Sequence, residues 1–521
     1  MTIEWRSVFR GWRHGHIGLF LAIVVTGAVL RGVDLEREPL SFDEAASVYI
    51  AEMSLASVIE RNGSFNSSPP AMLVLLHYVL KVGQSEAFVR IISVLSGIAT
   101  IAVVVQIARH LDPTGYVAPL AALFFALSSQ QIELSRQFRV YTLGEFFGSL
   151  GFLASLSFAR HPNWLTASLV AGLFFIGMQI QYALTPFFAA VGLALACGSV
   201  TSLPVFRSRL KYLALIAGVA ALGLVVVYQT ALKFQLYAGR GTSYSPTLSS
   251  TSSWLDMVVT FLLASWNLIQ FGLGLEAVPW SGPVLTLFFA IGCWSLFARR
   301  QPGPYLLSIV FVFVGFGVLS AANYYPYGPI RQCALLLLPL YGVAALGVIN
   351  AVSKGSELRR VGGFLLLLLP LVGFIVSIAT RDRASATSVS SPDVRQGIRL
   401  LQQNWQPGDV IFIPPGTFPI YVYYAGRGGT KPWTAGVGSN EWMQDERAWR
   451  EMVKDEPPYA DQLEGLLHAN RRVWMLYSHY HPGEMTFEAL AQRRGWSVSV
   501  DTLAKARKQD GEGNELYLSR R

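Results

Sequence analysis

Long apolar runs, interrupted by short basic stretches, recur along most of this chain and constrain its fold more than any other feature. They lie before residue 382, and each is about 17–23 residues long, the length that a helix needs to cross the apolar core of a bilayer. Charged residues make up only 14% of the 521 residues, against about 25% in an average soluble domain. The sequence therefore predicts a mainly α, polytopic membrane domain over residues 1–382. A soluble domain over residues 383–521 follows it.

The positive charge predicts how the chain crosses the membrane. The formal net charge is +9, and basic residues cluster in short breaks between apolar runs, at 6–13, 109–110, 207–211, 299–300 and 354–360. Such clusters are typical of cytoplasmic loops, whereas a nucleic-acid partner would require a basic stripe. With a cytoplasmic N-terminus and an uncleaved first helix over 17–33, we expect about 11–13 transmembrane helices: about 11 crossings plus two half-embedded helices, or 13 crossings if both of these cross. Either count leaves the C-terminus outside.

The same counting places residues 34–86 outside, as a first extracytoplasmic loop with juxtamembrane helices. The pattern there predicts an amphipathic helix over 45–59 and an apolar helix from Pro69-Pro70 to about Leu80, too short to cross. Residues 128–139, 179–182, 234–256 and 323–331 are predicted to be outward-facing loops. The tail alternates a helix at 394–401 with strands at 410–413 and 473–477, which indicates a small α/β domain.

Two adjacent acids, Asp43 and Glu44, follow the first predicted span. A carboxylate at the membrane surface suits a base that removes a proton from a hydroxyl group. Ser41 and Glu44 also have the spacing of a capping box at the start of a helix, where acids are favoured by the helix dipole. Both interpretations can hold together, because the box does not use Asp43.

Four arginines lie at the outward ends of apolar segments: Arg90, Arg136, Arg139 and Arg331. The planar guanidinium group donates two hydrogen bonds at once and so suits a phosphate. A single arginine at a helix end can instead reach the lipid headgroups. Four of them on the side where basic residues are disfavoured indicate a site for a lipid phosphate or diphosphate.

Outward-facing aromatic residues form a third set of candidates, which includes Tyr141, Tyr182, Tyr324 and Tyr325. Tyrosines at an interface commonly form an aromatic belt, and the alternative is contact with a sugar ring. No zinc-binding spacing, Walker loop or dinucleotide fingerprint occurs. A glycosyltransferase without a nucleotide site needs a donor that is itself in the membrane. No cofactor is indicated, and one external acid pair leaves a divalent cation as an open question.

The order of these motifs resembles the GT-C superfamily of membrane glycosyltransferases. It runs from Phe42-Asp43-Glu44 through Pro69-Pro70 and Glu86-Ala87-Phe88-Val89-Arg90 to 135–141. The likeness is to the branch that holds the protein O-mannosyltransferases and the lipid A aminoarabinose transferase, and it covers residues 17–160 best.

The resemblance implies inverting transfer of a sugar from a polyprenyl-phosphate donor to a glycan or lipid acceptor, at the outer face of a bacterial cytoplasmic membrane. It implies that Asp43 is the base, that Glu44 supports the base or a metal, and that Arg90 is needed for activity. Ser67-Ser68 stands where the lipid A transferases tend to carry a lysine, which puts their grip on the donor and their acceptor in question. The sequence also lacks the large inserted domains of the mannosyltransferases, which disfavours a protein acceptor.

Two other classes remain open at this stage. A transporter or flippase for lipid-linked sugars would explain the helices and the arginines, but it would not need the acid pair. It would also show charged residues in the middle of helices or inverted repeats more often. A non-catalytic polysaccharide-assembly subunit is the third class.

Overall fold

The computed structural model describes residues 14–59, 69–112, 116–199, 203–233, 253–273, 281–298, 303–353, 375–376, 394–413, 417–427, 435–437, 460–469, 472–478, 487–495, 499–507 and 513–520. They fall into two compact units. The first draws on Met1–Leu35 and Arg90–Ala379, and the second on Glu36–Val89 and Thr380–Arg521. Residues 36–89 are therefore in one unit with the tail.

The helices before the tail follow the predicted order. In the described residues they are α1 (His14–Gly32), α2 (Phe42–Ala51), α3 (Ala71–Val79), α4 (Glu86–Arg109), α5 (Val117–Leu127), α6 (Ser129–Ser135), α7 (Val140–Arg160), α8 (Trp164–Met178), α9 (Leu184–Ser199), α10 (Leu203–Val227), α11 (Trp254–Gly272), α12 (Ser281–Ala298), α13 (Gly303–Ala321) and α14 (Leu338–Ser353). A π-helical turn, Tyr228–Leu232, extends α10, and a 3₁₀ turn, Arg331–Leu337, leads into α14.

Six helical segments of the described residues are long and apolar enough to cross a membrane, and the bent pair α5–α6 makes up to seven. Four shorter apolar helices accompany them, within α1, α8, α9 and α12. The predicted polytopic helical architecture is confirmed. Of the last predicted span, which starts near Gly362, only residues 375–376 are among the described residues.

The pair α5–α6 departs from the prediction, which made residues 128–139 a loop. The chain bends by 61° between the two helices, and α6 begins at once because the Ser128 hydroxyl accepts a hydrogen bond from the amide of Gln131. A serine cap of this kind satisfies one of the amides that a new helix leaves without an intrahelical partner. This segment is therefore partly helical.

Helices α12 and α14 approach closely at glycines. A Cβ on Gly347 would lie 1.8 Å from the carbonyl oxygen of Phe288, and one on Gly292 would lie 2.2 Å from that of Val343. Small residues let helix backbones approach in this way, and close packing is a main source of helix association in a bilayer. This contact fixes the crossing of α12 and α14.

We expect Gly347→Ala to lower the thermal unfolding temperature in detergent. The new methyl group meets backbone rather than a movable side chain, and overpacking of this kind costs about 1–3 kcal/mol. Gly315→Ala in α13 is the control, because no described atom lies within 4 Å of its added Cβ. Equal unfolding temperatures for the two variants would contradict the close crossing.

The predicted amphipathic helix over 45–59 is two pieces rather than one. The helix α2 ends at Ala51, and residues 55–59 are helical again after a break. The hydroxyl of Ser54 accepts a hydrogen bond from the amide of Ser57 and so begins the second piece. The Pro-Pro helix is confirmed as α3, whose nine residues span only about 14 Å.

The tail is an α/β domain, as predicted. Its described elements are α15 (Val394–Asn404), β1 (Val410–Ile413), α16 (Phe418–Arg427), β2 (Ala435–Val437), α17 (Ala460–Ala469), β3 (Arg472–Ser478), α18 (Phe487–Arg494), β4 (Ser499–Arg507) and β5 (Gly513–Arg520). The sheet order is β2-β1-β3-β5-β4. Strands β2, β1 and β3 are parallel, and β3, β5 and β4 are antiparallel. The predicted turn at 407–409 contains Gly408 at a φ of 92°, a conformation that favours glycine.

Candidate functional site

The acid pair lies in the first turn of α2. Ser41 is the N-cap. The Glu44 carboxylate accepts a hydrogen bond from the Ser41 amide at 2.9 Å, and the Ser41 hydroxyl accepts one from the Glu44 amide at 3.4 Å. The capping box is therefore confirmed, and Glu44 is buried within it, with only 1% of its surface exposed. The predicted chemical role of Glu44 stays a prediction.

Asp43 is half-buried next to this box. Its backbone carbonyl accepts a hydrogen bond from the Ser47 hydroxyl at 2.7 Å, one turn further along α2. The box uses Ser41 and Glu44, so the carboxylate of Asp43 is not needed to cap the helix. Acidic residues are favoured in the first turn of a helix by the helix dipole. The predicted role of Asp43 as the base stays a prediction.

Two of the predicted phosphate-binding arginines converge on the end of α1. Arg90 is buried and donates a hydrogen bond to the carbonyl oxygen of Leu35. Arg136 donates to the carbonyl oxygens of Leu30 at 3.3 Å, Val33 at 2.6 Å and Asp34 at 3.0 Å. A cation is favoured at the C-terminus of a helix, so Arg136 caps α1. Its predicted role in phosphate binding stays a prediction.

We expect Arg136→Lys to lower the thermal unfolding temperature by an amount that corresponds to about 1–2 kcal/mol. A lysine keeps the charge but loses the planar fork that reaches three carbonyl oxygens at once, and hydrogen bonds from a charged group are worth about 1.5–3 kcal/mol. Arg207→Lys, at an exposed arginine in α10, is the control. An unchanged unfolding temperature for Arg136→Lys would show that this cap contributes nothing.

The structure also brings Arg331 to Tyr141. The guanidinium carbon of Arg331 lies 5.7 Å from the centre of the Tyr141 ring, a cation–π distance. Arg139 is the N-cap residue of α7, two positions before Tyr141. Arg331, a predicted phosphate-binding residue, therefore contacts Tyr141, a predicted sugar-binding residue, near the start of α7. The predicted role of Arg139 stays a prediction.

The other predicted tyrosines differ in exposure. Tyr324 is 58% exposed, whereas Tyr182 and Tyr325 are half-buried. The Tyr325 hydroxyl donates a hydrogen bond to the carbonyl oxygen of Gln332 at 3.0 Å, which ties it to the turn that begins with Arg331. Tyr325 has a structural contact of its own, and sugar contact by Tyr182, Tyr324 and Tyr325 stays a prediction.

The predicted site residues divide between the two units. Asp43 and Glu44 belong to the unit that contains the tail, and the four arginines and the tyrosines belong to the unit of transmembrane helices. Among the described residues, no group of three or more His, Cys, Asp and Glu side chains could hold a metal ion. Metal dependence stays open.

A buried arginine that was not among the predicted site residues joins α1 to α5 and α6. Arg31 in α1 has no exposed surface. Its guanidinium donates to the Ser135 hydroxyl at 3.2 Å and to the carbonyl oxygens of Gly27, Phe125 and Ala126 at 3.0–3.2 Å. It binds the carbonyls that the end of α5 leaves without an intrahelical partner at the bend.

A buried carboxylate, Glu145 in α7, continues this network. One of its oxygens accepts a hydrogen bond from the Gln131 side chain at 2.9 Å. Gln131 in turn accepts one from the Ser135 hydroxyl through its backbone carbonyl, and Ser135 is bound by Arg31. Glu145 could have been found from the sequence, because an acid inside an apolar segment is by default a candidate for function.

Comparisons with solved structures identify the fold. The apo crystal structure of ArnT from Cupriavidus metallidurans superposes with a TM-score of 0.58 at 12% identity, over 97% of this chain and 98% of ArnT. The chain has the GT-C fold. The structure of the same ArnT bound to undecaprenyl phosphate covers the same shares of the two chains, with a TM-score of 0.56 at 12% identity.

Other comparisons add less. The Saccharomyces cerevisiae protein O-mannosyltransferase Pmt1-Pmt2 complex, bound to the sugar donor, matches 46% of this chain and 36% of its own, at 18% identity with a TM-score of 0.35. No protein-family model matches the sequence, and no curated protein matches it either. The predicted GT-C architecture is thus confirmed by three-dimensional structure, where sequence comparison finds nothing.

Proposed function

We propose that this protein is an inverting glycosyltransferase of the outer face of a bacterial cytoplasmic membrane. It moves a sugar from a polyprenyl-phosphate donor to a hydroxyl group of a lipid-linked or cell-envelope glycan. The observation that carries the proposal is the GT-C fold, which extends over 97% of the chain and is shared with an ArnT structure that holds undecaprenyl phosphate. The acid in the first turn of α2 supplies the group that such a reaction needs.

In the proposed reaction Asp43 accepts the proton of the acceptor hydroxyl. The hydroxyl oxygen forms a bond to the anomeric carbon as the bond from that carbon to the phosphate oxygen breaks. The polyprenyl phosphate leaves with the bonding electron pair, and the configuration at the anomeric carbon inverts. A phosphate leaves readily, so no separate general acid is needed. The half-buried position of Asp43 at a helix N-terminus supports its role as the ionised base.

Arg90, Arg136, Arg139 and Arg331 are proposed to neutralise the departing phosphate. Two groupings support this: Arg90 and Arg136 both donate hydrogen bonds to carbonyl oxygens of residues 30–35, and Arg331 lies beside Tyr141 near the start of α7. Fixed donors aimed at developing charge are worth about 3–4 kcal/mol each in well-studied enzymes. The tyrosines of the same unit are proposed to contact the sugar.

The test is donor consumption in lipid nanodiscs. The purified protein is incubated with a panel of undecaprenyl-phosphate hexoses and pentoses and with membrane glycolipids as acceptors, and the undecaprenyl phosphate released is measured. A transferase releases it only when an acceptor is present, and the glycosidic bond of the product has the opposite anomeric configuration to the donor. Failure of every donor would overturn the proposal.

Transport of a lipid-linked sugar is a second candidate, because the ionisable residues Arg31 and Glu145 are buried in the transmembrane unit. Such residues are typical of transport pathways, although here they take part in one hydrogen-bonded network. Liposomes that hold a fluorescent undecaprenyl-phosphate sugar distinguish the two functions. Movement of the lipid between leaflets without release of undecaprenyl phosphate would favour the transporter.

A further inference from the structure

The segment that leads into α2 is held by side chains of the tail. Arg395 in α15 donates hydrogen bonds to the carbonyl oxygens of Glu36 at 2.8 Å and Arg37 at 2.7 Å. The hydroxyl of Tyr424 in α16 accepts one from the amide of Leu40 at 2.8 Å. All three contacts are to backbone atoms. They therefore hold the backbone of residues 36–40 directly, and they do not depend on the side chains of that segment.

Glu86, the first residue of α4, links the two tail side chains. Its carboxylate accepts a short hydrogen bond from the Tyr424 hydroxyl and forms an ion pair with Arg395 at 3.2 Å. Glu86 is only 7% exposed, and a buried carboxylate is stable only when it is paired in this way. Burial and the neighbouring Glu86 carboxylate raise the pKa of Tyr424, so its hydroxyl stays protonated and donates at neutral pH.

These contacts complete the start of the helix that carries Asp43. The amide of Leu40 donates to Tyr424, the amide of Ser41 donates to Glu44, and the amide of Glu44 donates to Ser41. On the next turns of α2 the ring of Tyr49 packs edge-on against the ring of Phe418, with centroids 5.7 Å apart. The residues that precede α2 and one face of α2 itself therefore both contact α16 of the tail.

We propose that Tyr424 is a positioning residue for Asp43, and that the C-terminal domain acts in the reaction by holding α2 in place. Arg395 and Glu86 support Tyr424 in this role. The inference rests on the proposed function, because it concerns the geometry of the proposed base. It gives the tail a role in the reaction that does not require contact with the donor or the acceptor.

The chain offers a closely matched control. Tyr423 is adjacent to Tyr424 on α16, the two rings are 4.8 Å apart, and its hydroxyl also makes a hydrogen bond, to the carbonyl oxygen of Gln84 at 3.0 Å. Tyr424→Phe and Tyr423→Phe each remove one bonded hydroxyl group from the same helix. Only Tyr424→Phe removes the acceptor of the Leu40 amide.

The first measurement is hydrogen–deuterium exchange of the full-length protein in nanodiscs. In Tyr424→Phe we expect the peptide that contains residues 38–51 to exchange about tenfold faster than in the wild type, the change that loss of one net hydrogen bond produces. Tyr423→Phe should leave that peptide unchanged. Equal exchange of this peptide in the two variants would overturn the proposal that Tyr424 holds the start of α2 in place.

The second measurement is turnover with the undecaprenyl-phosphate sugar that the wild type consumes. Displacement of the base lowers kcat about 10- to 100-fold in Tyr424→Phe, with the KM values for donor and acceptor unchanged, while Tyr423→Phe keeps the wild-type kcat. A raised KM for the acceptor at unchanged kcat would instead assign the tail to acceptor binding and overturn the positioning role.

The two proposals fail in different ways. If the wild type consumes no donor, the proposed function fails and the catalytic part of this inference fails with it. If the wild type is active, Asp43→Asn is inactive, and Tyr424→Phe has the same kcat as Tyr423→Phe, only the positioning role of Tyr424 is overturned.

Discussion

Asp43→Asn is expected to lower kcat by about 100- to 10,000-fold, the usual contribution of a general base. The variant keeps the shape of the side chain and removes only the negative charge that accepts the proton. The capping box does not depend on it, since Ser41 and Glu44 bind each other's amides. The thermal unfolding temperature should therefore stay close to that of the wild type. The measurement is release of undecaprenyl phosphate with and without acceptor.

Glu52→Gln is the control for this variant. Glu52 is an exposed carboxylate at the opposite end of α2, and its neutralisation changes the charge of the same helix by the same amount. It should keep the wild-type kcat. Near wild-type turnover in Asp43→Asn would remove Asp43 from the chemistry and move the search for a base to other residues.

Arg31→Met is expected to give the largest loss of stability, about 3–5 kcal/mol. The substitution keeps most of the side-chain volume but leaves the Ser135 hydroxyl and two carbonyl groups at the end of α5 without the donor that binds them. Removal of one partner from a buried charged network typically costs this much. The free energy of unfolding in mixed micelles is the measurement, and Arg207→Met, at an exposed site, is the control.

A double-mutant cycle shows whether Arg31 and Glu145 act as one network. They are linked through Ser135 and Gln131, and residues of one hydrogen-bonded network couple by about 0.5–3 kcal/mol. The loss in Arg31→Met with Glu145→Gln should therefore differ from the sum of the two single losses. Strict additivity would mean that the two residues contribute to stability independently.

The buried network also bears on the choice between enzyme and transporter. Arg31 binds the bend between α5 and α6, and Glu145 is joined to that bend through Gln131. A structural role predicts that Arg31 and Glu145 variants lose stability in proportion to activity. A transport role predicts variants that fold normally but no longer move lipid-linked sugar.

The sequence by itself determined the features that rest on local chemistry. The length of the apolar runs predicted the spanning helices, and the spacing of Ser41 and Glu44 predicted the capping box. The alternation of helix and strand patterns predicted the tail domain, and β1 lies at the predicted residues. These features depend on residues that are close together in the sequence. The length of a membrane-spanning helix, a helix cap and the alternation of a strand each involve no more than about 20 consecutive residues. Motif order was enough to indicate the GT-C fold.

Only the tertiary structure decided which distant groups meet. Arg136 caps α1 although the two are about 100 residues apart in the sequence. Arg31 is buried against the end of α5, and Tyr424 accepts a hydrogen bond from the amide of Leu40. No local sequence pattern predicts any of these contacts. Each of these contacts satisfies a backbone group that its own helix or loop leaves without a partner, and any donor or acceptor of the right reach can do that. The partner is therefore chosen by how the helices pack, which the sequence around either residue does not encode.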